Sequence, residues 1–169
     1  VTLLKNSTFS QHELSRLIGP THRSNNTSAT YTLRYGIINN QMSVVLAALA
    51  KGGNIDEELY SSNNKAYHFF ETKIQRHNEN IYGKTSLQLS AEHGHYPICE
   101  LLLRYAKNRM DDKQFKEFID KKDKEGRTAL DYAENGNKAK ASIIKLLKKY
   151  GATSNNNGAI PSKGFCRIL

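Results

Sequence analysis

Residues 83–104 decide the fold, and they read G-K-T-S-L-Q-L-S-A-E-H-G-H-Y-P-I-C-E-L-L-L-R. Gly83 allows a positive φ in a turn, and Thr85 can accept a hydrogen bond from a free backbone N–H at the start of a helix. Gly94 suits a left-handed residue that ends a short first helix. Residues 101–103 are all leucine, which is too many apolar neighbours for one helix face. The stretch therefore predicts a turn and two helices that are packed on more than one side, as in a stack of similar units.

This stretch resembles an ankyrin repeat, in which a turn and two antiparallel helices occupy about 33 residues and the first helix opens on T-P-L-H-x-A. Residues 85–91, T-S-L-Q-L-S-A, take the place of that opening. Ser86 replaces the usual proline and Gln88 the usual histidine, whereas Gly94 and His95 match the family's G-H. The resemblance implies a module that binds other proteins and is not an enzyme.

Two further copies of the pattern flank the first. Residues 123–133, D-K-E-G-R-T-A-L-D-Y-A, match the opening closely, and residues 143–152 resemble a second helix with its closing Gly-Ala. Residues 33–56 form a degenerate copy in which Asn40 takes the place of the turn glycine, because asparagine tolerates the left-handed conformation. A stable stack needs at least about three repeats. The sequence thus predicts an all-α ankyrin-repeat solenoid of about three helix-turn-helix repeats with helical insertions.

The spacing of equivalent leucines sets the predicted domain organisation. Leu33, Leu87 and Leu130 are 54 and 43 residues apart, which leaves inserts of roughly 21 and 10 residues beyond a repeat of about 33. The predicted parts are a cap helix and loop at 1–23, repeats over 24–152 and a flexible tail at 153–169. The repeats are 24–56, 80–106 and 123–152, and the inserts are 57–79 and 107–122. The polar run 20–29 is expected to be a loop that leads into the first repeat.

The second insert carries a helical pattern. Phe115, Phe118 and Ile119 stand at i, i+3 and i+4, and Asp111 and Asp112 suit a helix N-terminus. The inserts either lengthen and pad the outer side of the stack, which is the simpler interpretation, or form a protrusion specific for a partner.

The composition excludes several protein classes. The chain has 169 residues, enough for one domain, and no apolar run approaches the 18 residues of a membrane-spanning helix. Its two cysteines are too few for a disulfide-rich scaffold, and Cys99 is expected to be a small buried hydrophobe of a second helix. Cys and His at metal-ligand spacing, a phosphate-binding glycine loop and a nucleophile elbow are all lacking. We expect no catalytic residue, no metal and no cofactor.

The formal net charge of +9 has two interpretations. It could attract an anionic partner, such as an acidic protein or a lipid headgroup. Alternatively, the lysines form a solvated outer face and the polar end cap of the stack. The second is favoured, and no nucleic-acid partner is expected, because no nucleic-acid-binding motif accompanies the charge. The lysines cluster at 121, 122 and 124, at 138 and 140, and at 145, 148 and 149.

The last four residues, Cys166 to Leu169, read C-R-I-L and resemble a C-a-a-X prenylation box of the geranylgeranyl class. Arg167 departs from the aliphatic residue expected there, and a chance match is the alternative. One lipid chain binds membranes only marginally, so nearby lysines would have to assist it on an anionic membrane surface. We expect a cytoplasmic protein, which would be membrane-associated if the box is used. It would be a eukaryotic adaptor, or an ankyrin-type virulence effector that a bacterium secretes into a host cell.

The chain begins at Val1, so the sequence also admits a fragment. It would then be the regulatory or substrate-recruiting domain of a larger enzyme whose catalytic part lies further towards the N-terminus.

The resemblance implies where a protein partner would bind, since ankyrin repeats contact ligands through their turns and the exposed positions of their first helices. Tyr82 and Arg127 are the preferred anchors, because aromatic and arginine side chains dominate binding hot spots; the alternative is that all these positions are simply exposed. The predicted contact residues are Ile81, Tyr82, Lys84, Glu92 and His93 in the second repeat, and Lys124, Glu125, Arg127 and Asn135 in the third.

Overall fold

The computed structural model describes residues 27–57, 83–135 and 140–154, which contain seven helices and no strand. The predicted N-terminal cap, the first insert from residue 58 onwards and the tail from residue 155 lie outside these ranges. The helices are α1 (Thr27–Ile38), α2 (Met42–Ala50), α3 (Ser86–Glu92), α4 (Tyr96–Lys107), α5 (Asp112–Ile119), α6 (Ala129–Glu134) and α7 (Ala141–Lys149). None of the seven is long and apolar enough to cross a bilayer.

Six of the helices form three hairpins that lie side by side. Helix α1 packs on α2, α3 on α4, and α6 on α7. The first helices of neighbouring hairpins also touch, α1 with α3 and α3 with α6, and so do the second helices, α2 with α4 and α4 with α7. Each hairpin therefore covers an apolar face of its neighbour, and the predicted helical solenoid is confirmed.

The first helices of the second and third hairpins each follow an N-cap threonine that forms a capping box. Thr85 Oγ1 accepts a hydrogen bond from the Gln88 N–H at 3.3 Å, and Gln88 Oε1 accepts one from the Thr85 N–H at 2.7 Å. Thr128 and Asp131 form the same reciprocal pair at 3.3 Å and 2.8 Å. These helices have only seven and six residues. The boxes satisfy donors that such short helices would otherwise leave free.

The predicted left-handed residues are confirmed at the ends of the first helices. Gly94 has φ of 76° and Asn40 has φ of 53°, and Asn40 is the only residue other than glycine with a positive φ in the described ranges. Both lie between the first and second helix of their hairpin. Asparagine thus replaces the turn glycine of the degenerate copy, as its side chain permits.

One position in each first helix is small because the second helix crosses there. In the second hairpin this position is Ser90, five residues after Thr85, and its Oγ lies 3.1 Å from Cys99 Sγ. In the first hairpin it is Gly36, where an added Cβ would lie 3.0 Å from Val45 Cγ2. Cys99 is fully buried and reduced, as expected, and burial raises the pKa of its thiol to about 12.

The first hairpin differs from the prediction at its start. Helix α1 begins at Thr27, so the expectation of a loop over 20–29 is wrong for residues 27–29. Leu33 lies six residues after the start of α1, whereas its equivalent, Leu87, lies one residue after the start of α3. Ala29 and Tyr31 of this added turn are buried, and burial outweighs the weak helix propensity of a Thr- and Ser-rich stretch.

The second insert pads the stack. Helix α5 follows the N-cap Asp111, which forms a capping box with Gln114, and it packs against α4. The insert's three predicted apolar residues are buried, and Phe115 lies 6.2 Å from the ring of Tyr150, just after α7. Lys116 Nζ donates to the carbonyl of Gly151 at 2.7 Å. This insert therefore joins the ends of α4 and α7, which favours the padding interpretation over a protrusion.

Candidate protein-binding surface

The turn of the third repeat is attached to the second repeat through Gln88. Its Nε2 donates hydrogen bonds to the carbonyl oxygens of Lys121 at 2.8 Å and Arg127 at 3.1 Å. Gln88 is almost fully buried, and Arg127 directly precedes the N-cap Thr128. The bonds therefore fix the backbone of the turn that presents Lys124 and Glu125.

Arg34 of the first repeat attaches the turn of the second repeat in the same way. It follows Leu33 as Gln88 follows Leu87, and its side chain is fully buried. Its Nη2 donates to the carbonyl oxygen of Lys84 at 2.6 Å and also to that of Glu57. Lys84 precedes the N-cap Thr85 as Arg127 precedes Thr128, so equivalent carbonyls are held in both turns. The sequence pattern did not reveal this role, although the 54-residue offset from Arg34 to Gln88 could have indicated it.

Two predicted contact residues of the second repeat bind each other. Lys84 Nζ lies 2.8 Å and 2.7 Å from the two carboxylate oxygens of Glu92. Only 7 % of Lys84 is exposed, and its ammonium group lies 5.0 Å from the centroid of the Tyr132 ring in the third repeat. Lys84 thus connects the two repeats and offers little surface, whereas the Glu92 carboxylate remains about one third exposed.

Arg127, a preferred anchor, is also bound within the chain. Its Nε lies 3.0 Å from Asp123 Oδ2, its guanidinium carbon lies 4.7 Å from the centroid of the Tyr132 ring, and it pairs with Glu125. The Tyr132 hydroxyl donates to the same Asp123 oxygen at 2.6 Å. Although burial alone would raise the pKa of Asp123, the hydrogen bonds from Tyr132 and Arg127 lower it below its ordinary value.

The sequence pattern missed Asp123 and Tyr132 as members of this cluster. The spacing of Asp123 and Arg127 gave one usable signal, because residues four apart with opposite charge can pair within a tight turn. Burial first, and then the Asp123 carboxylate, raise the pKa of Tyr132, so its hydroxyl stays protonated and continues to donate. The cluster therefore holds the shape of the turn and does not titrate near neutral pH.

The exposed part of the predicted surface is smaller than the predicted set. Lys124, Glu125 and Asn135 are exposed, and His93 is half-buried. The stem of Lys124 lies against the turn of the second repeat, where its Cγ would be 3.5 Å from a Cβ at Gly83. The Asn135 amide donates to the Asp131 carbonyl at 2.6 Å. The structure thus places Lys124 and Glu125 in the turn of the third repeat, Asn135 at the end of its first helix, and His93 at the end of the first helix of the second repeat.

Two histidines lie between the first and second helices of the second hairpin. The rings of His93 and His95 are stacked, with centroids 5.6 Å apart. Burial first, and then the charge of His93, lower the pKa of His95, against the opposing effect of its hydrogen bond to the backbone of Ile38. The pair therefore lies at the junction of the first and second repeats. Within the described ranges, no three His, Cys, Asp or Glu side chains come together as a metal site would require.

Ile81, Tyr82 and Cys166 lie outside the described residues, so their roles stay predictions.

The family comparison covers most of the chain. The model for ankyrin repeats, in three copies, matches residues 14–159. A comparison with curated proteins found no match. The matched range includes all three hairpins. The chain belongs to the ankyrin repeat family.

Proposed function

We propose that this protein binds another protein through the exposed turn and first-helix end of the third repeat, extended by the corresponding residues of the second. Ankyrin repeats are protein-interaction modules, and the chain contains three. The observation that carries the proposal is the double attachment of the third-repeat turn. Gln88 holds its backbone from the neighbouring repeat, and Asp123 with Arg127 holds it from within.

A turn held in this way favours binding because it is ordered before the partner arrives. Ordering a flexible loop costs free energy on association, and a preformed loop avoids most of that cost. Lys124 and Glu125 are exposed on the held backbone and carry opposite charges, with Glu125 paired to Arg127. Their arrangement suits a partner with a complementary mixed-charge surface, since such pairs determine orientation and specificity more than affinity. Tyr82, two residues before Lys84 in the sequence, would supply the aromatic anchor.

The test begins with affinity capture of a partner from a cell lysate. Binding of that partner is then compared between the wild type and a variant with Lys124→Ala and Glu125→Ala, for which we expect affinity to fall about tenfold or more. The matched control is Lys113→Ala with Glu117→Ala on α5, which removes the same two charges from an exposed helix. Equal affinity for the turn variant and the wild type would place the interface elsewhere.

The tail adds a second element to the proposal, which is membrane tethering through a prenylated Cys166. The C-R-I-L ending and the polar residues before it support this element. A tethered stack would act as an adaptor on a membrane, or as a host-directed effector if a bacterium secretes it. Mass spectrometry of the protein produced in eukaryotic cells tests the modification, with Cys166→Ser as control. An unmodified thiol at Cys166 would contradict the membrane tether, and the proposed protein-binding surface would not depend on that result.

A further inference from the structure

The outward face of α7 is rich in lysine. Three of its residues, Ile143, Leu146 and Leu147, are buried against the neighbouring helices. Lys145, Lys148 and Lys149 are exposed, at a spacing that places them on one side of the helix, and we call them the lysine face. Residues 140–154 contain four lysines and no acidic residue. The positive charge of this last hairpin is therefore concentrated on one helix.

The lysine face is weakly neutralised by its surroundings. Lys148 Nζ lies 3.1 Å from the Glu134 carboxylate of α6. Neither Lys145 nor Lys149 forms an ion pair within the described ranges. On α5, by contrast, Lys116 pairs with Asp120. Lys145 and Lys149, neither of which has an ion pair with a described residue, are therefore both exposed on the same side of α7.

We propose that the lysine face docks on an anionic lipid bilayer. The other exposed residues of α7 are Ala141 and Ser142, and the helix itself contains no aromatic or arginine residue. Protein interfaces are depleted in lysine, and their hot spots are enriched in Trp, Tyr and Arg. An anionic leaflet, by contrast, attracts lysine as a point charge and needs no complementary pocket. This chemistry favours a membrane surface over an acidic protein.

Docking through α7 is compatible with partner binding. Helix α7 is a second helix of its hairpin, whereas Lys124 and Glu125 lie in the turn that precedes the first helix. A stack that lies on a bilayer through α7 would leave the turns open to a protein. The inference needs no lipid on Cys166, so it stands or falls separately from the tether.

The test uses the full unmodified chain made in bacteria and vesicles of phosphatidylcholine with or without phosphatidylserine. The variant Lys145→Gln with Lys149→Gln keeps the Lys148–Glu134 pair and lowers the formal net charge from +9 to +7. The matched control, Lys51→Gln with Lys122→Gln, lowers it equally at exposed residues outside α7. We expect the wild type to sediment with phosphatidylserine vesicles. The α7 variant should bind about 25-fold more weakly, since each lysine near an anionic leaflet contributes about fivefold, and the control about as well as the wild type.

Three outcomes would overturn the inference. The first is the absence of binding to phosphatidylserine vesicles. The second is an equal loss for both variants, which would show that net charge alone attracts the vesicles. The third is unchanged vesicle binding by the α7 variant together with loss of a captured protein partner, which would make the lysine face a protein-docking surface. Far-ultraviolet circular dichroism of both variants checks that the helices are retained.

Discussion

Gln88 in the first helix of the second repeat donates to the carbonyl oxygen of Arg127 in the turn of the third, at 3.1 Å. The same amide group also donates to the carbonyl oxygen of Lys121. One repeat earlier, the Arg34 side chain donates in the same way to the carbonyl oxygen of Lys84 in the turn of the second repeat. The turns are thus positioned by buried side chains of the preceding repeat, and a partner would meet a surface that is already formed.

Replacing Gln88 by alanine should destabilise the stack strongly. The change leaves two carbonyl oxygens without their buried donor and removes one half of the capping box, so we expect a loss of about 2–4 kcal/mol in the free energy of unfolding. Gln114→Ala is the matched control, because Gln114 makes the same capping box at an exposed position of α5. It should cost less than about 1 kcal/mol. Urea unfolding measures both, and equal losses would show that the bonds between repeats contribute nothing.

The Asp123 cluster predicts a loss of stability in acid. The folded-state pKa of Asp123 lies below its ordinary value, so its contribution is present above the ordinary pKa of about 4 and is lost as the pH falls through the folded-state value. The difference in unfolding free energy between the wild type and Asp123→Asn should therefore be large at pH 7 and shrink towards pH 3. Urea titrations across this range provide the check, and a difference independent of pH would show that the carboxylate charge is immaterial.

His95 predicts a second pH effect of the same sign at higher pH. Its folded-state pKa is lowered, so the folded chain binds fewer protons there than the unfolded chain does. The stability associated with neutral His95 is present above the unfolded pKa of about 6.5 and is lost as the pH falls below it. His95→Gln should therefore lose less stability than the wild type between pH 7.5 and pH 5.5. Thermal midpoints at both pH values test this, and parallel decreases would exclude His95 as the group responsible.

Overpacking the crossing of the third hairpin should also destabilise the fold. Ala133 lies five residues after Thr128, as Ser90 does after Thr85, and it is 1 % exposed. Ala133→Leu inserts three carbons where the helices meet and should cost about 1–3 kcal/mol. Ala141→Leu at an exposed position of α7 provides the comparison. Full stability of the Ala133 variant would contradict a close crossing at this position.

The elements that could be predicted from the sequence are those whose cause is local. The left-handed glycine at 94, the threonine cap at 85 and the amphipathic spacing of Phe115 and Phe118 each act within a few residues of the chain, and the structure confirms them. The start of α1 was missed, because the burial of Ala29 outweighs the propensity of a polar run.

The details of the site depend on contacts between repeats, which the pattern of one repeat does not contain. An arginine in a turn looks like an exposed anchor, and only the fold shows that Arg127 lies against Tyr132 and Asp123. Lys84 likewise looks exposed in the sequence. It is buried because it contacts Glu92 at the end of α3 and Tyr132 in the next repeat. The exposure of a side chain depends on how the repeats stack. The complete burial of Arg34 therefore could not be predicted from the sequence of its own repeat.

The most direct test of the binding surface is photo-cross-linking of the captured partner to defined positions of the stack. A photoreactive amino acid is placed at Glu125 in the third-repeat turn and, in separate samples, at Lys113 on α5, both of which are exposed. We predict a cross-linked product from position 125 and none from position 113. Cross-linking from 113 alone would contradict the account, because it would place the partner against the insert and away from the turns.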